Sequence, residues 1–222
     1  MPRRIMGIDE AGRGPVIGPM VVCGVVAKED AIEHLIELGV KDSKALKPSR
    51  RKELRNLIID GVEAWEIQEV PPREVDEAVR KGRLNFLEAK KMAVLISRFK
   101  PDVTYVDAPS INTTAFLRCL KGFLKGKDKR MEIVAENFAD ERYPIVGAAS
   151  ILAKLRRDEV LESYKALYGD FGSGYPSDDA TIRFLESYYR TYGKFPEIAR
   201  LEWETNRNIL ERILQKKLDQ FY

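Results

Sequence analysis

Two short apolar runs near the start of the chain constrain the fold more than any other feature. Residues 3–9 read RRIMGID and residues 20–27 read MVVCGVVA, with glycines and prolines in the segment between them. Runs of this length that are rich in Val, Ile and Met and bounded by Gly and Pro are typical of β-strands. The chain is therefore predicted to begin with two strands.

Three further strand-like runs follow, and helical segments separate them. These runs are residues 64–70, 102–107 and 131–136. Segments with a 3.6-residue apolar period lie between them and indicate helices, and after residue 178 the pattern is helical. This order predicts an α/β domain of about five strands, followed by a small C-terminal helical unit.

The balance of charges limits how the protein could bind a polyanion. The 222 residues include 38 basic and 35 acidic side chains, a net charge of +3. A basic field over the whole protein is therefore excluded, and a nucleic acid would have to be bound by local patches. No apolar run in the sequence approaches the roughly 18 residues that a membrane span needs.

The small number of histidines and cysteines limits the possible chemistry. His34 is the single histidine, and Cys23 and Cys119 are the two cysteines. These residues cannot build a zinc site of the usual kind or a histidine-dependent nucleophile. We expect the cysteines to be buried thiols in a reducing cytosol. An enzyme of this composition would use carboxylates, whose hard oxygens select Mg²⁺ or Mn²⁺.

Three acidic residues occupy comparable places among the predicted elements. Asp9 closes the first strand, Asp107 closes the strand of residues 102–107, and Asp140 lies in a short loop before a long helix. Ligands of α/β proteins usually bind at the carboxyl ends of strands, where the loops form a crevice. Taken singly, each acid could equally be a helix cap or a solvated turn residue.

A second acid and a glycine turn follow Asp9 directly. Adjacent strand residues point to opposite faces, so Asp9 and Glu10 could serve one site only where the strand breaks, and Gly12 and Gly14 supply such a break. The spacing fits neither a P-loop nor a dinucleotide-binding fingerprint. It leaves a glycine turn whose backbone can approach a phosphate closely, with the charge of Arg13 beside it.

Six motifs in the same order resemble type 2 ribonuclease H in its archaeal form, and together they extend over most of the chain. The tail FPEIARLEWETNRNI, residues 195–209, is also similar to the archaeal form. The motifs are GIDEAGRGP at 7–15, KDSK at 41–44, VDAP at 106–109, AD at 139–140, AASILAKLRRD at 148–158 and GSGYPSD at 172–178.

The resemblance implies a ribonuclease H-like mixed sheet flanked by helices. It implies a catalytic domain at residues 1–176 and a C-terminal helical substrate-binding segment at residues 177–222. It also implies two Mg²⁺ or Mn²⁺ ions, bound by Asp9, Glu10, Asp107 and Asp140.

One further acid competes for the expected metal site, and one residue beside the site departs from the family pattern. Asp158 competes with Asp140 as the fourth acid, but it lies ~27 Å along the long helix, so Asp140 is preferred. The chain also departs from the family at Phe138, where relatives often carry a lysine. This departure leaves a charge at position 138 in doubt, but not Asp140.

The resemblance also implies the reaction and the substrate contacts. The expected activity is hydrolysis of the RNA strand of RNA/DNA hybrids, with cleavage 5′ of single ribonucleotides in duplex DNA that leaves 3′-OH and 5′-phosphate ends. Two alternatives are a non-catalytic hybrid-binding module and another two-metal nuclease of the same fold. The residues expected to bind substrate are Gly12, Arg13, Gly14, Ser43, Lys44 and Tyr175.

The last eight residues, QKKLDQFY, suggest a protein partner. Gln215, Leu218, Phe221 and Tyr222 are similar to the box with which repair proteins bind a sliding clamp of the proliferating cell nuclear antigen type. One helical turn would place Leu218 and Phe221 on one side, as a plug for a hydrophobic groove. The alternative is that one amphipathic helix simply continues to a frayed end. We expect a cytoplasmic monomer.

Overall fold

The computed structural model describes residues 2–40 and 48–218, and its centre is a five-stranded sheet. The strand order is β3-β2-β1-β4-β5, which confirms the predicted number of strands. The strands are β1 (Arg4–Ala11), β2 (Met20–Lys28), β3 (Ala64–Val70), β4 (Val103–Asp107) and β5 (Glu132–Glu136).

The sheet is mixed, as the resemblance implied. β1 pairs with β2 in antiparallel fashion and with β4 in parallel, with Ile8 opposite Val106. β4 and β5 are also parallel. The prediction that the first strand closes at Asp9 is wrong by two residues, because β1 continues to Ala11 through its pairing with β2.

Helices follow or separate the strands in the predicted order. Short 3-10 turns at Glu29–Ala31 and Gly126–Arg130 complete the regular structure of the described residues. The helices are α1 (Ile32–Glu37), α2 (Pro48–Gly61), α3 (Pro72–Arg80), α4 (Leu84–Phe99), α5 (Thr113–Phe123), α6 (Ala139–Arg142), α7 (Pro144–Tyr168), α8 (Asp179–Tyr192) and α9 (Glu204–Leu218).

The chain forms two compact units. The first unit comprises Met1–Ala11, Val21–Glu69 and Arg83–Arg156, and the second comprises Gly12–Met20, Val70–Gly82 and Arg157–Tyr222. These breaks differ from the predicted boundary after residue 176. The assignment of residues 177–222 to substrate binding therefore stays a prediction.

Each unit has its own apolar core. In the first unit, residues of the sheet pack against α2 and α7, and examples are Val21, Val25, Leu54, Ile145 and Ile151. In the second unit, residues from the turn after β1 pack against the C-terminal helices, and examples are Val16, Phe171, Leu185, Ile198 and Ile209. Burial of apolar surface on this scale is the main stabilising contribution in each unit.

Two smaller points concern the cysteines and membranes. Cys23 is buried as predicted, whereas Cys119 is only half-buried, and both are free thiols. Within residues 2–40 and 48–218, every helix is too short or too polar to span a bilayer.

Candidate active site

Asp9 lies in the middle of the sheet and is almost completely buried. It belongs to the central strand β1, its neighbour across the sheet is Cys23 on β2, and it is 5% exposed. Its Oδ1 atom accepts a hydrogen bond of 2.7 Å from the backbone N–H of Glu10. Glu10 is half-buried. The carboxyl group of Asp9 is therefore not that of a solvated turn residue.

Asp107 ends the neighbouring parallel strand β4. Because Ile8 pairs with Val106, Asp9 and Asp107 are the next residues of two adjacent strands. The Oδ1 atom of Asp107 accepts a hydrogen bond of 2.9 Å from the backbone N–H of Ala139. This bond ties the end of β4 to the start of α6, the short helix that carries Asp140.

Asp140 is brought inwards by a left-handed turn of the backbone. Phe138 has φ 60° and precedes α6, and Asp140, two residues later, is 1% exposed. A positive φ is uncommon for a residue with a side chain and costs about 1–3 kcal/mol. The Phe138 side chain itself is 61% exposed. Position 138 therefore contributes to the site through its backbone conformation, which turns the chain before Asp140. The sequence did not indicate this conformation.

The charges of these three acids act on one another. The pKa of Asp9 is raised to about 7, first by burial and then by the charges of Asp107 and Asp140, and hydrogen bonds from Ser150 and the Glu10 backbone partly offset this rise. Like charges shift a pKa in this way only when they are close. Asp158, the alternative to Asp140, belongs to the second unit and is not among the named causes of this shift.

The acids are close but are not gathered around one point. Among the residues that the structure describes, no three His, Cys, Asp or Glu side chains form a group that could hold a metal ion as they stand. Metal binding by Asp9, Glu10, Asp107 and Asp140 therefore remains a prediction. The effect of Asp107 and Asp140 on the pKa of Asp9 favours it.

Two polar residues of α7 are linked to Asp9 by hydrogen bonds. No role was predicted for either of them. The Ser150 side chain hydrogen-bonds to Asp9 and is fully buried. The Lys154 Nζ atom donates to Ser150 Oγ over 2.8 Å. The signal in the sequence was the spacing of four residues in SILAK, which places Ser150 and Lys154 one helical turn apart.

The predicted substrate loop, Gly12-Arg13-Gly14, belongs to the second unit, where two side chains hold its carbonyl groups. Arg200 donates to the carbonyl oxygen of Gly12 over 2.5 Å, to that of Arg13 over 2.9 Å and to that of Gly18 over 2.9 Å. Trp203 Nε1 donates to the carbonyl oxygen of Gly14 over 3.0 Å. Every carbonyl of the Gly-Arg-Gly loop is thus hydrogen-bonded to the segment before α9.

Arg200 is fully buried, and its cation lies 4.9 Å from the centre of the Trp203 ring. No local sequence pattern assigned a role to Arg200 or Trp203. A guanidinium offers five N–H donors in a fixed plane, which explains how one side chain can serve three carbonyl groups. The loop is therefore held in one conformation before any ligand binds.

Tyr175 lies in a second loop, which is hydrogen-bonded to the residues that follow the Gly-Arg-Gly loop. The carbonyl oxygen of Gly174 accepts from the backbone N–H groups of Val16 and Ile17 over 2.8 and 3.1 Å. A β-carbon placed on Gly14 would lie 4.0 Å from the Tyr175 ring. The structure thus places Tyr175 beside the Gly-Arg-Gly loop within the second unit, and their shared role in substrate binding stays a prediction.

Asp178 fixes the far side of the Tyr175 loop. It accepts hydrogen bonds from the backbone N–H groups of Ser173 and Ala180 over 2.6 and 2.9 Å. These bonds, with one from the Ser173 hydroxyl, lower the pKa of Asp178 to about 2. The carboxylate also caps the N-terminus of α8, where a negative charge is favourable.

Several predicted residues lie wholly or partly outside the described residues. Ser43 and Lys44 fall in the gap between residues 40 and 48, and Phe221 and Tyr222 follow the last described residue. Gln215 is exposed on α9, and Leu218 is the last residue of that helix.

Comparison with known proteins gives consistent matches over nearly the whole chain. The family model described as Ribonuclease HII matches residues 6–206. A ribonuclease HII from Pyrococcus furiosus is 47% identical over 225 residues, which cover 99% of this chain and 98% of that protein.

Two solved structures are similar in fold and sequence. The ribonuclease H2 of Pyrococcus horikoshii has a TM-score of 0.87 and 46% identity, covering 94% of this chain and 98% of its own. A chain from the PCNA:RNase HII complex of Archaeoglobus fulgidus has a TM-score of 0.82 and 40% identity, covering 92% and 96%.

Proposed function

The chain belongs to the ribonuclease HII family of endoribonucleases that act on RNA/DNA hybrids, and we propose that it also cuts duplex DNA 5′ of an embedded ribonucleotide. The proposed products carry 3′-OH and 5′-phosphate ends. The observation that carries the catalytic part is the effect of Asp107 and Asp140 on the pKa of buried Asp9. Three carboxyl groups from separate segments of the chain lie close enough to influence one another, and two of them, Asp9 and Asp140, are almost completely buried.

This cluster fits the divalent ions on which the family depends. The causes of the Asp9 pKa shift include the negative charges of Asp107 and Asp140, and such a concentration of negative charge favours a bound cation. Its donors are carboxylate oxygens, which Mg²⁺ and Mn²⁺ prefer. Two such ions, held by Asp9, Glu10, Asp107 and Asp140, would supply an activated water and stabilise the leaving 3′-oxygen.

The chain's own residues have separate parts in this proposal. The Asp107 and Asp140 charges favour the protonated form of Asp9, so Asp9 must lose its proton before it can bind a cation. Ser150 and Lys154 fix the direction of the Asp9 carboxylate through their hydrogen bonds. Outer-shell bonds of this kind orient metal ligands.

Substrate recognition is assigned to the second unit. Gly12, Arg13 and Gly14 would meet the backbone of the ribonucleotide, and Tyr175 would contact the junction with the following deoxynucleotide. The 2′-hydroxyl is the group that separates RNA from DNA at such a place. The loops suit this task because their hydrogen bonds hold them in place in advance. Ser43 and Lys44 are also proposed to lie near the substrate.

Cleavage of a duplex DNA with one ribonucleotide tests the proposal. With Mg²⁺, the wild-type protein should cut this duplex 5′ of the ribonucleotide, and Asp140→Asn should bind it without cutting. Asp158→Asn is the matched control, because it makes the same change at the competing acid and should leave cleavage intact. Cleavage by Asp140→Asn at the wild-type rate would reject the assigned site, and binding without cleavage by the wild type would favour a non-catalytic module.

A second test addresses Tyr175 alone. Tyr175→Ala should weaken the preference for a deoxynucleotide 3′ of the ribose, measured as the ratio of kcat/KM for junction and all-RNA strands. An unchanged ratio would remove Tyr175 from the recognition site.

We further propose that the C-terminal tail binds a sliding clamp. The similar protein from Archaeoglobus fulgidus forms a complex with PCNA, and Gln215 is exposed at the start of the box. Deletion of residues 215–222 should abolish clamp binding, measured by calorimetry, and leave cleavage by the free monomeric enzyme unchanged. Equal clamp affinity of the two proteins would reject this role.

A further inference from the structure

One buried arginine of the second unit has no part in the site described above. Arg157 lies in α7, is 6% exposed, and has Nε and Nη2 atoms without a hydrogen-bond partner among the described residues. Burial lowers its pKa, and electrostatic interactions with Tyr175 and Asp158 act in the opposite direction. Because arginine stays charged in proteins, this guanidinium is a buried cation with unused donors.

Three residues of the proposed substrate loops lie against this guanidinium. A β-carbon on Gly12 would lie 2.5 Å from Cδ and 2.6 Å from Nε of Arg157, and one on Gly174 would lie 3.7 Å from Nη2. The centre of the Tyr175 ring lies 5.4 Å from Cζ. The Arg157 side chain thus occupies space that Gly12 leaves open, Gly174 lies at ordinary contact distance from Nη2, and an aromatic ring covers one face of the guanidinium.

Packing alone does not explain a charged group at this place. A buried cation without hydrogen-bond partners destabilises a fold, and an apolar side chain of similar volume is often neutral or stabilising instead. Nε and Nη2 are themselves buried, so the guanidinium can act on a ligand at the surface through its charge over a short distance and not by direct hydrogen bonds. The charge of Arg157 therefore points to a ligand that is an anion.

We propose that Arg157 is a buried cation whose charge draws a backbone phosphate of the nucleic acid onto the surface formed by Gly12, Gly174 and Tyr175. The inference rests on the proposed function, because the ligand is its nucleic acid. Gly12 and Gly174 put no β-carbon between phosphate and cation, so attraction acts over a short distance where little water screens it. Tyr175 is 42% exposed, and its ring can contact the same nucleotide.

The test removes the charge of the Arg157 side chain and keeps a side chain of similar volume. Asp140→Asn serves as the background, so that the duplex is bound and not cut, and Arg157→Met is added to it. The dissociation constant for the ribonucleotide-containing duplex, measured at several salt concentrations, should rise about 10-fold. The salt dependence should fall by about one phosphate contact. The Tm should stay equal or rise, because an unpaired buried charge is removed.

Arg156→Met in the same background is the matched control. Arg156 is the preceding residue of α7, and its Nε donates over 2.5 Å to Glu69 in a surface ion pair. Its loss should change the dissociation constant by less than about twofold, since surface pairs contribute little. Arg157→Lys keeps the charge but not the planar group. Its dissociation constant should lie between that of the Asp140→Asn background and that of the Arg157→Met variant.

Two results would overturn the role of Arg157. One is an unchanged affinity and salt dependence in Arg157→Met, and the other is a large fall in its Tm, which would make the residue a support of the fold. Either result leaves the proposed function standing if the wild type still cuts the duplex. If the wild type does not cut it and Asp140→Asn does not bind it, the proposed function fails and this inference fails with it.

Discussion

The two regions assigned to catalysis and to recognition are stabilised in opposite ways. In the first unit, Asp9, Asp107 and Asp140 carry like charges that repel one another, and burial of Asp9 adds to the cost. In the second unit, the carbonyl groups of the Gly-Arg-Gly loop accept hydrogen bonds from Arg200 and Trp203. One region is strained by its charges, whereas the other is held by complementary bonds.

This difference matches what each task requires. Cation binding is favoured when the ligands repel each other in the ion's absence, because the ion then relieves the repulsion. Recognition of a sugar and a phosphate instead requires fixed donors and acceptors, since any loop motion must be lost on binding. Substitutions of the buried acids should therefore lower activity and raise stability, whereas substitutions of Arg200 and Trp203, which donate to the loop carbonyls, should lower both.

The largest effect is expected from Asp9→Asn. Removing one charge from the centre of the cluster should lower kcat with Mg²⁺ on the order of 10³-fold or more, as loss of a central catalytic group commonly does. The metal-free protein should at the same time have a higher Tm than the wild type at pH 8, because the repulsion is relieved. A variant that loses both activity and stability would contradict the contrast drawn here.

The pH dependence of stability sharpens the same contrast. The folded pKa of Asp9 is raised from 3.8 to about 7, so the folded state retains this proton over a range where the unfolded chain releases it. The resulting stabilisation is fully present below pH 3.8 and is lost as the pH rises through about 7, a change of up to about 4 kcal/mol. Thermal unfolding of the metal-free protein from pH 5 to pH 8 measures the larger part of this loss, and Asp9→Asn should remove it.

Arg200→Lys tests the second region. One ammonium group cannot reach the carbonyl groups of Gly12, Arg13 and Gly18 in the way that the guanidinium does, and unmet buried acceptors cost about 1–3 kcal/mol. We expect a fall of about 2–3 kcal/mol in the free energy of unfolding, with a fall of about 10-fold in kcat/KM on the ribonucleotide duplex. Arg207→Lys, at an exposed arginine that donates to the carbonyl of Glu202, is the control. Full stability with lost selectivity would show that Arg200 acts on the substrate directly.

Much of this arrangement could be predicted from local sequence patterns, but the contacts between distant segments could not. The apolar runs predicted five strands, and the acids at their ends predicted that Asp9 and Asp107 would be near one another. Local patterns did not reveal the left-handed turn at Phe138 or the extension of β1 to Ala11, since both depend on pairing and packing with other segments. The contacts of Arg200 with residues more than 180 positions away have no local signature.

The smallest predicted effect isolates a single hydrogen bond of the recognition region. Trp203→Phe keeps an aromatic ring beside Arg200 but removes the N–H that donates to the carbonyl oxygen of Gly14. The free energy of unfolding should fall by about 1 kcal/mol, and kcat/KM on the ribonucleotide duplex should fall a few-fold because the loop is held less firmly. Trp65→Phe, at a half-exposed tryptophan of β3 in the first unit, should change neither quantity measurably. If both variants behave alike, the hydrogen bond to Gly14 does not distinguish the two regions, and Arg200 alone would hold the loop.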